Sequence, residues 1–237
     1  MFLSDLYKMP HIIYIIMNVI ISALFILFVV KSPSKRRNLI IKISGIILLL
    51  LVIINRISIT VYDNAIAHKD DASILELLPN SICGLSSLLL ALGIVFGAKD
   101  NFVLNSVSYI GFFGSIIVIF YPDFLITQPF WSIRSITGLL HHSLFNLIVI
   151  VMMISGYIKP CVVKFKYLII MMSFYMTYGI FLIDACGIQH AMQIGKPLIQ
   201  NAPIITSWYV VFLATAVVVL IYEAIFDFLN KKSNLSK

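Results

Sequence analysis

The chain has 237 residues, of which 61% are hydrophobic and 11% are charged, and its mean hydropathy is +1.04. Soluble domains carry about 25% charged residues, so a soluble fold could not bury this much apolar surface. The formal net charge is +7, but the basic residues lie between apolar runs rather than along one face. This pattern argues against nucleic acid as a partner and is typical of membrane orientation.

Apolar runs of about 20 residues follow one another along the chain, each long enough to cross a bilayer as a helix. They predict an all-α, polytopic membrane helix bundle of seven transmembrane helices that forms one integral membrane domain over residues 1–237. The first run begins near His11 and has no small-residue cleavage site after it, so we expect it to remain as a helix. The predicted spans are 12–30, 39–62, 73–96, 102–121, 133–158, 165–186 and 204–229.

The basic residues of the connections predict the orientation of the bundle, because Lys and Arg are retained on the cytoplasmic face. An odd number of spans then places the amino terminus outside and the carboxyl terminus inside, in a multi-pass protein of the cell membrane. The cytoplasmic face would carry Lys31, Lys35, Arg36, Arg37, Lys99, Lys159, Lys164, Lys166, Lys231, Lys232 and Lys237, and the outer face Lys8, Lys69, Arg134 and Lys196.

The third predicted span contains polar residues at helical spacing. Glu76, Asn80, Cys83 and Ser87 lie at i, i+4, i+7 and i+11, which on one continuous helix places them along a single stripe. Because ionisable groups are costly in hydrocarbon, we expect this stripe to face protein or water. Three interpretations of Cys83 stay open: a buried thiol that packs as a hydrophobe, a disulfide with Cys186, or a nucleophile activated by a histidine.

The fifth predicted span carries His141 and His142, which are adjacent and therefore about 100° apart around the helix axis. We expect one of the two histidines to do no more than form a hydrogen bond with a polar group on a neighbouring helix. No metal site is expected, since adjacent histidines diverge and no third ligand has suitable spacing. Cys83 and the histidine pair each lie roughly eight to ten residues from the outer end of their span, so a thiol and an imidazole could meet.

Other polar residues also fall in the outer half of the predicted bundle. Asn55 and Arg56 belong to the second span and Asp184 to the sixth, with Asp63 near the mouth. Their concentration at one end predicts a polar cavity that opens toward the outer leaflet. Structural alternatives remain for two of the carboxylates, because Glu76 could pair with Arg56 and Asp184 could be a hydrogen-bonded residue at a helix end.

Three segments in this order and spacing resemble the bacterial YwaF-type integral membrane proteins, which are distantly similar to a eukaryotic multispan acyltransferase that makes ether phospholipids. The segments are Leu78-Pro79-Asn80-Ser81-Ile82-Cys83, Tyr121-Pro122-Asp123 followed by Pro129-Phe130-Trp131, and His142-Ser143-Leu144. The resemblance extends from the second span to the seventh. The chain departs from many bacterial members at Ser81, where they have a histidine.

The resemblance implies a lipid acyltransferase or acyl hydrolase that forms a thioester on a cysteine at the outer-leaflet side. Membrane phospholipids would be its partners and acyl donors, and no cofactor is implied. The implied roles are Cys83 as nucleophile, His142 or His141 as base, Glu76 or Asp184 as orienting carboxylate and Asn80 or Asn146 as oxyanion donor, with Asn55 and Arg56 as further substrate-binding residues.

Two other functions stay open. A small-molecule or proton-coupled transporter or binding protein would use Glu76, Arg56, Asp184 and the histidines as its polar site. The sequence shows no pair of broken half-helices in matching positions, which such transporters often have. A non-catalytic scaffold would use the same polar groups only to hold helices together.

Overall fold

The fold is an all-helical bundle, seen in a computed structural model that describes residues 5–65, 74–188, 191–194 and 207–235. The described ranges contain seven helices of 14 to 32 residues and one of four. The helices are α1 Met9–Lys31, α2 Ser34–Ala65, α3 Ile82–Val95, α4 Phe102–Phe120, α5 Phe124–Thr127, α6 Ile133–Ile154, α7 Phe165–Asp184 and α8 Trp208–Leu235.

Six of these helices are long and apolar enough to cross a membrane, so the chain is a multi-pass membrane protein. The candidate spans are Met9–Lys31, Ser34–Val61, Phe102–Thr127, Ile133–Ile154, Val162–Asp184 and Trp208–Leu229. Helix α3 has 14 residues and a length of about 21 Å. That is shorter than the hydrocarbon core of roughly 30 Å, so the count of seven crossings remains a prediction.

The prediction of one continuous helix over residues 73–96 is wrong. The structure has a 3₁₀ turn at Ile74–Leu77, and α3 begins only at Ile82. Pro79 lies between these two elements. It favours a break in the helix because proline cannot donate a backbone hydrogen bond and restricts the conformation of the residue before it. Ser81 then caps α3 by accepting a hydrogen bond from the Gly84 N–H at 3.1 Å. Asn80 therefore precedes the helix of Cys83, and the predicted polar stripe does not exist as a helical face.

The core of the bundle is built by α4 and α6. In their apolar stretches 56% and 72% of the residues are buried, against 6% for α1 and 17% for α8. Gly111 of α4 allows the close approach, because a Cβ at this position would collide with Phe145 of α6 and Ser86 of α3. Helices α3, α4 and α6 therefore meet at one point, while α1 and α8 lie at the periphery with most of their surface available to lipid.

The basic connections gather at one end of the bundle. Asp100, before α4, accepts hydrogen bonds from Lys164 Nζ at 2.6 Å and from the Lys159 N–H at 2.9 Å, both in the α6–α7 connection. Asp227 of α8 accepts from the Val162 N–H at 3.2 Å, which places the later part of α8 at the same end. We call this the basic end. The structure thus groups these connections at one end, as the sequence predicts. The side of the membrane on which the basic end lies stays a prediction.

Neutralising Asp100 is expected to destabilise the basic end. Asp100 adopts a positive φ of 56°, which asparagine tolerates well, so Asp100→Asn removes the charge and leaves the backbone conformation in place. Loss of the charge-assisted bonds should lower the free energy of unfolding by about 1 kcal/mol. Thermal unfolding of the purified protein at neutral pH measures this effect.

The contribution of Asp100 to the free energy of unfolding depends on pH. Burial raises the pKa of Asp100, but hydrogen bonds from Lys164, Asn105 and the Lys159 N–H outweigh it and hold the pKa below its ordinary value of 3.8. The stabilisation should therefore be present above the unfolded pKa and be lost as the pH falls through the folded one. Asp123→Asn is the control, because Asp123 is exposed and caps no N–H. An equal loss in both variants would contradict the assignment.

Helix α1 is anchored at the opposite end by polar contacts that were not predicted from the sequence. His11 is fully buried, its Nδ1 accepts from the Tyr7 N–H at 3.2 Å, and its Nε2 lies 3.1 Å from the Ile119 carbonyl. A carbonyl can only accept, so His11 carries its proton on Nε2. Tyr14 Oη lies 2.5 Å from Ser143 Oγ of α6. These bonds fix α1 against the end of α4 and the middle of α6.

Candidate functional site

Cys83 lies in the first turn of α3, and its side chain packs directly against α4. A Cβ on Gly114 would lie only 2.6 Å from Cys83 Sγ, so the glycine makes room for the sulfur. All three cysteines are free thiols, which excludes the Cys83–Cys186 disulfide in this structure. The backbone N–H groups of Ile82 and Cys83 make no hydrogen bond in the described ranges, as is common in the first turn of a helix.

His142 of α6 contacts the same turn of α4. Its Nδ1 lies 3.4 Å from Ser115 Oγ, and both residues are buried. Ser115 directly follows Gly114, so the thiol and the imidazole lie against adjacent residues of one helix. Cys83 and His142 make no direct hydrogen bond in the part of the chain that the structure describes.

His141 has a different partner. Its Nδ1 lies 2.9 Å from the Thr137 carbonyl of its own helix, and a carbonyl oxygen can only accept, so Nδ1 carries the proton. The two rings are nevertheless in contact, with centroids 3.9 Å apart. His142 is therefore the histidine that bonds a neighbouring helix, whereas His141 bonds its own, and which of them acts on Cys83 stays a prediction.

Because Cys83 contacts Gly114, the effect of a Gly114 substitution on stability should depend strongly on whether the Cys83 sulfur is present. Gly114→Ala should lower the free energy of unfolding by about 1–3 kcal/mol, because its methyl group has no space beside the sulfur. In a Cys83→Ala background that space exists, and the cost should largely disappear. Denaturant unfolding of the four proteins in this double-mutant cycle measures the coupling. An equal cost in both backgrounds would contradict the contact.

Arg56 and Asn80 hold the segment that leads into α3. Arg56 donates from one guanidinium nitrogen to the Leu78 carbonyl at 2.6 Å and to Asn80 Oδ1 at 2.8 Å. The Asn80 carbonyl accepts from the Met192 N–H at 2.8 Å. These bonds leave Asn80 Nδ2 without a partner in the described ranges, three residues before Cys83. The nitrogen is thus available to donate to a ligand.

Asn55 and Asn146 lie in contacts between helices. Asn55 of α2 donates to Thr137 Oγ1 at 3.0 Å and to the Arg134 carbonyl at 3.1 Å, both in α6. With its amide oriented to satisfy its neighbours, Asn146 donates to the Phe112 carbonyl at 3.1 Å and accepts from the Ile116 N–H at 3.3 Å. Both amides therefore join helices in this arrangement.

No carboxylate orients the histidines among the residues with described side chains. Asp184 is exposed at the last position of α7 and makes no hydrogen bond or ion pair there, so the alternative of a hydrogen-bonded helix end is wrong. The side chains of Glu76 and Asp63 are not among the described side chains, so the predicted pairing of Glu76 with Arg56 and the predicted place of Asp63 near the mouth stay predictions. The groups that orient the imidazoles are Ser115 and the Thr137 carbonyl.

An apolar cavity lies beside this cluster, between α3, α4, α7 and α8. The space measures about 510 Å³ with its open mouth included. At its edge, Tyr175 Oη lies 2.8 Å from Ser86 Oγ, one turn after Cys83 on α3. The lining residues are Ile82, Ile110, Met172, Tyr175, Met176, Gln193, Trp208, Val211, Phe212 and Thr215.

One site residue, Ser115, and one buried carboxylate outside the site, Glu223, were not predicted from the sequence. Ser115 looked like an ordinary residue of the fourth span, although the small residues Gly111, Gly114 and Ser115 on one helix could have indicated a close approach by neighbours. Glu223 of α8 was also missed. It is 1% exposed, and its Oε2 has no hydrogen bond in the described ranges, but it faces the α4–α8 contact near the basic end rather than Cys83.

No group of three or more His, Cys, Asp or Glu residues in the described ranges could hold a metal ion. The model of the TMEM164 family matches residues 6–225, which is nearly the whole chain. Comparison with curated proteins and with solved structures gave no match. The narrower resemblance to the YwaF-type proteins stays a prediction.

Proposed function

The chain belongs to the TMEM164 family, and from this premise we propose that it is a membrane-embedded lipid acyltransferase that forms a thioester on Cys83. TMEM164 is a family of membrane acyltransferases. The observation that carries the specific proposal is the placement of Cys83 and His142 against Gly114 and Ser115, adjacent residues of α4. Nucleophilic catalysis requires a base near the nucleophile and a third group that orients the base, and Ser115 is the group that orients His142.

In the first step, His142 Nε2 takes the proton of the Cys83 thiol. This tautomer has Nδ1–H donating to Ser115 Oγ, which holds the ring in place. The thiolate attacks the ester carbonyl of a phospholipid, and a tetrahedral oxyanion forms. Its collapse breaks the ester bond, and the leaving glycerol oxygen takes the proton from Nε2 and departs as a lysophospholipid hydroxyl.

In the second step, the hydroxyl of an acceptor lipid gives its proton to His142 Nε2 and attacks the thioester. The Cys83 sulfur leaves as a thiolate and regains the proton from the imidazolium. If water replaces the acceptor, the product is a free fatty acid and the activity is that of an acyl hydrolase. The protein supplies position and proton transfer in both cases, without a redox change.

Donors for the oxyanion surround Cys83. The free N–H groups of Ile82 and Cys83 lie in the first turn of α3, where the helix dipole favours negative charge. Asn80 adds a side-chain N–H, because Arg56 holds its Oδ1 and leaves Nδ2 available. Arg56 is therefore a positioning residue in this proposal, and Asn80 rather than Asn146 is the side-chain donor.

We also propose that α3 completes a seventh crossing, with the amino terminus outside and the basic end in the cytoplasm. The cluster around Cys83 then lies toward the outer leaflet, where phospholipid rather than acyl-coenzyme A is the acyl donor. Labelling of single cysteines placed at Lys8 and at Lys35 with a membrane-impermeant maleimide in intact cells tests this orientation. Reaction at Lys35 but not at Lys8 would reverse it.

A lipid-transfer assay tests the proposed function. The purified full chain is placed in phosphatidylcholine vesicles whose acyl chains are labelled, together with an unlabelled lysophosphatidylethanolamine. We expect the label to appear in the acceptor lipid, and label only in free fatty acid would assign hydrolysis instead. If no label moves, or if it moves equally with Cys83→Ala, the proposal is wrong.

A further inference from the structure

The cavity beside Cys83 is shaped by two helix faces. Val211, Phe212 and Thr215 follow Trp208 on α8 at the spacing i+3, i+4 and i+7, and Met172, Tyr175 and Met176 have a similar spacing on α7. A stripe with this periodicity normally packs against a neighbouring helix. Here α7 and α8 leave a space along roughly 10 Å of the α8 axis.

The chemistry of the lining limits what the cavity can hold. None of the described residues that line the cavity carries a formal charge, and most are aliphatic or aromatic, so a lipid headgroup or a nucleotide would lose its solvation there without compensation. The two methionines have flexible side chains that adapt to the shape of an apolar ligand. A hydrocarbon chain fits this lining.

The position of the cavity connects it to both the bilayer and the thiol. Most residues of α8 outside the cavity are exposed, Leu213 by 64%, and in a membrane protein such a face contacts lipid. On the other side the cavity reaches Ile82, the neighbour of Cys83, and the hydrogen-bonded pair of Tyr175 and Ser86. The apolar space thus ends next to the first turn of α3, with the buried Tyr175–Ser86 pair behind its lining.

We propose that this cavity binds an acyl chain of a membrane phospholipid, with the chain between α7 and α8 and the ester group near the Tyr175–Ser86 pair. The choice of a phospholipid rests on the proposed acyl transfer, whereas the choice of a hydrocarbon chain rests on the lining. The cavity would then select the lipid chain that reaches Cys83. Its shape, rather than any charged group, would determine which chains are accepted.

Photolabelling tests this assignment without requiring activity. Cys83→Ala protein in dioleoylphosphatidylcholine vesicles receives a small fraction of phosphatidylcholine that carries a diazirine within one acyl chain. After irradiation, mass spectrometry should locate adducts on Met172, Met176 or Phe212. Val211→Trp fills the cavity and should reduce these adducts by at least about tenfold, as expected for a steric block in an apolar pocket.

Leu213→Trp is the matched control, because it adds the same side chain to the lipid-exposed face of the same helix and should leave the cavity adducts unchanged. Thr215→Phe serves as a second filling variant, and melting temperatures show that each variant is folded. Adducts that occur only on exposed faces, or that persist in both folded filling variants, would overturn the assignment. Equal labelling by a diazirine fatty acid that phosphatidylcholine cannot displace would overturn the choice of a phospholipid.

The photolabelling experiment and the test for a thioester on Cys83 can fail independently of each other. A thioester on wild-type Cys83 without adducts in the cavity would support acyl transfer and overturn the cavity assignment. Adducts in the cavity that Val211→Trp removes, without any thioester, would support the binding of the chain and overturn the thioester mechanism.

Discussion

Cys83→Ala is expected to reduce acyl transfer by about 10³-fold or more, because no other group in the arrangement can form the thioester. The substitution removes one sulfur atom beside Gly114, so the fold should persist. The rate of transfer of labelled acyl chains between phospholipids in vesicles measures the effect. Size-exclusion chromatography and thermal unfolding of the same samples show whether the protein is intact.

Cys186→Ala is the matched control for this prediction. Cys186 is also a half-buried free thiol, but it follows the end of α7. Its replacement should leave the transfer rate unchanged. Comparable losses in the two variants would indicate that sulfur chemistry at Cys83 is not the source of the activity.

His142→Gln is expected to reduce transfer by about 10²–10⁴-fold, the usual contribution of a general base. Glutamine can keep a hydrogen bond to Ser115 but cannot take the thiol proton. Single-turnover measurements should show that formation of the acyl-enzyme is slowed, whereas the binding of lipid is retained. This separation distinguishes a base from a residue that only supports the fold.

His141→Gln provides the comparison, because its ring contacts that of His142 but its Nδ1 is hydrogen-bonded to the Thr137 carbonyl. We expect it to reduce the rate by no more than about tenfold, through a shift of the neighbouring ring. A larger loss with His141→Gln than with His142→Gln would assign the base to His141. Wild-type rates in both variants would contradict a histidine base.

The sequence predicted the bundle because its signal is physical and local. Apolar runs of bilayer length require helices, and the six long helices follow the predicted spans closely. The comparison of depth between Cys83 and His142 counted helical rise from residue 73, but α3 begins only at Ile82, so Cys83 lies in a first turn and the premise of that comparison was wrong. The structure nevertheless brings both side chains to adjacent residues of α4, Gly114 and Ser115, a contact for which the sequence contained no signal.

The incorrect and missing predictions have identifiable physical causes. Pro79 was present in the sequence, yet the apolar character of the run hid the break that proline imposes, and the stripe from Glu76 to Ser87 was predicted on a helix that does not exist. Asp184 was selected as an ionisable residue near a span, but whether such a residue faces the interior depends on tertiary packing. The Tyr175–Ser86 pair joins residues 89 positions apart, a contact that periodicity alone does not predict.

The most direct test of the central claim is to find the acyl group on Cys83. The purified protein is incubated with phosphatidylcholine in the absence of an acceptor, quenched in acid, digested and analysed by mass spectrometry. The account predicts a peptide containing Cys83 whose mass is increased by one acyl chain and restored by neutral hydroxylamine, as for a thioester. An unmodified Cys83 peptide under conditions in which transfer proceeds, or an acyl group on another residue, would contradict it.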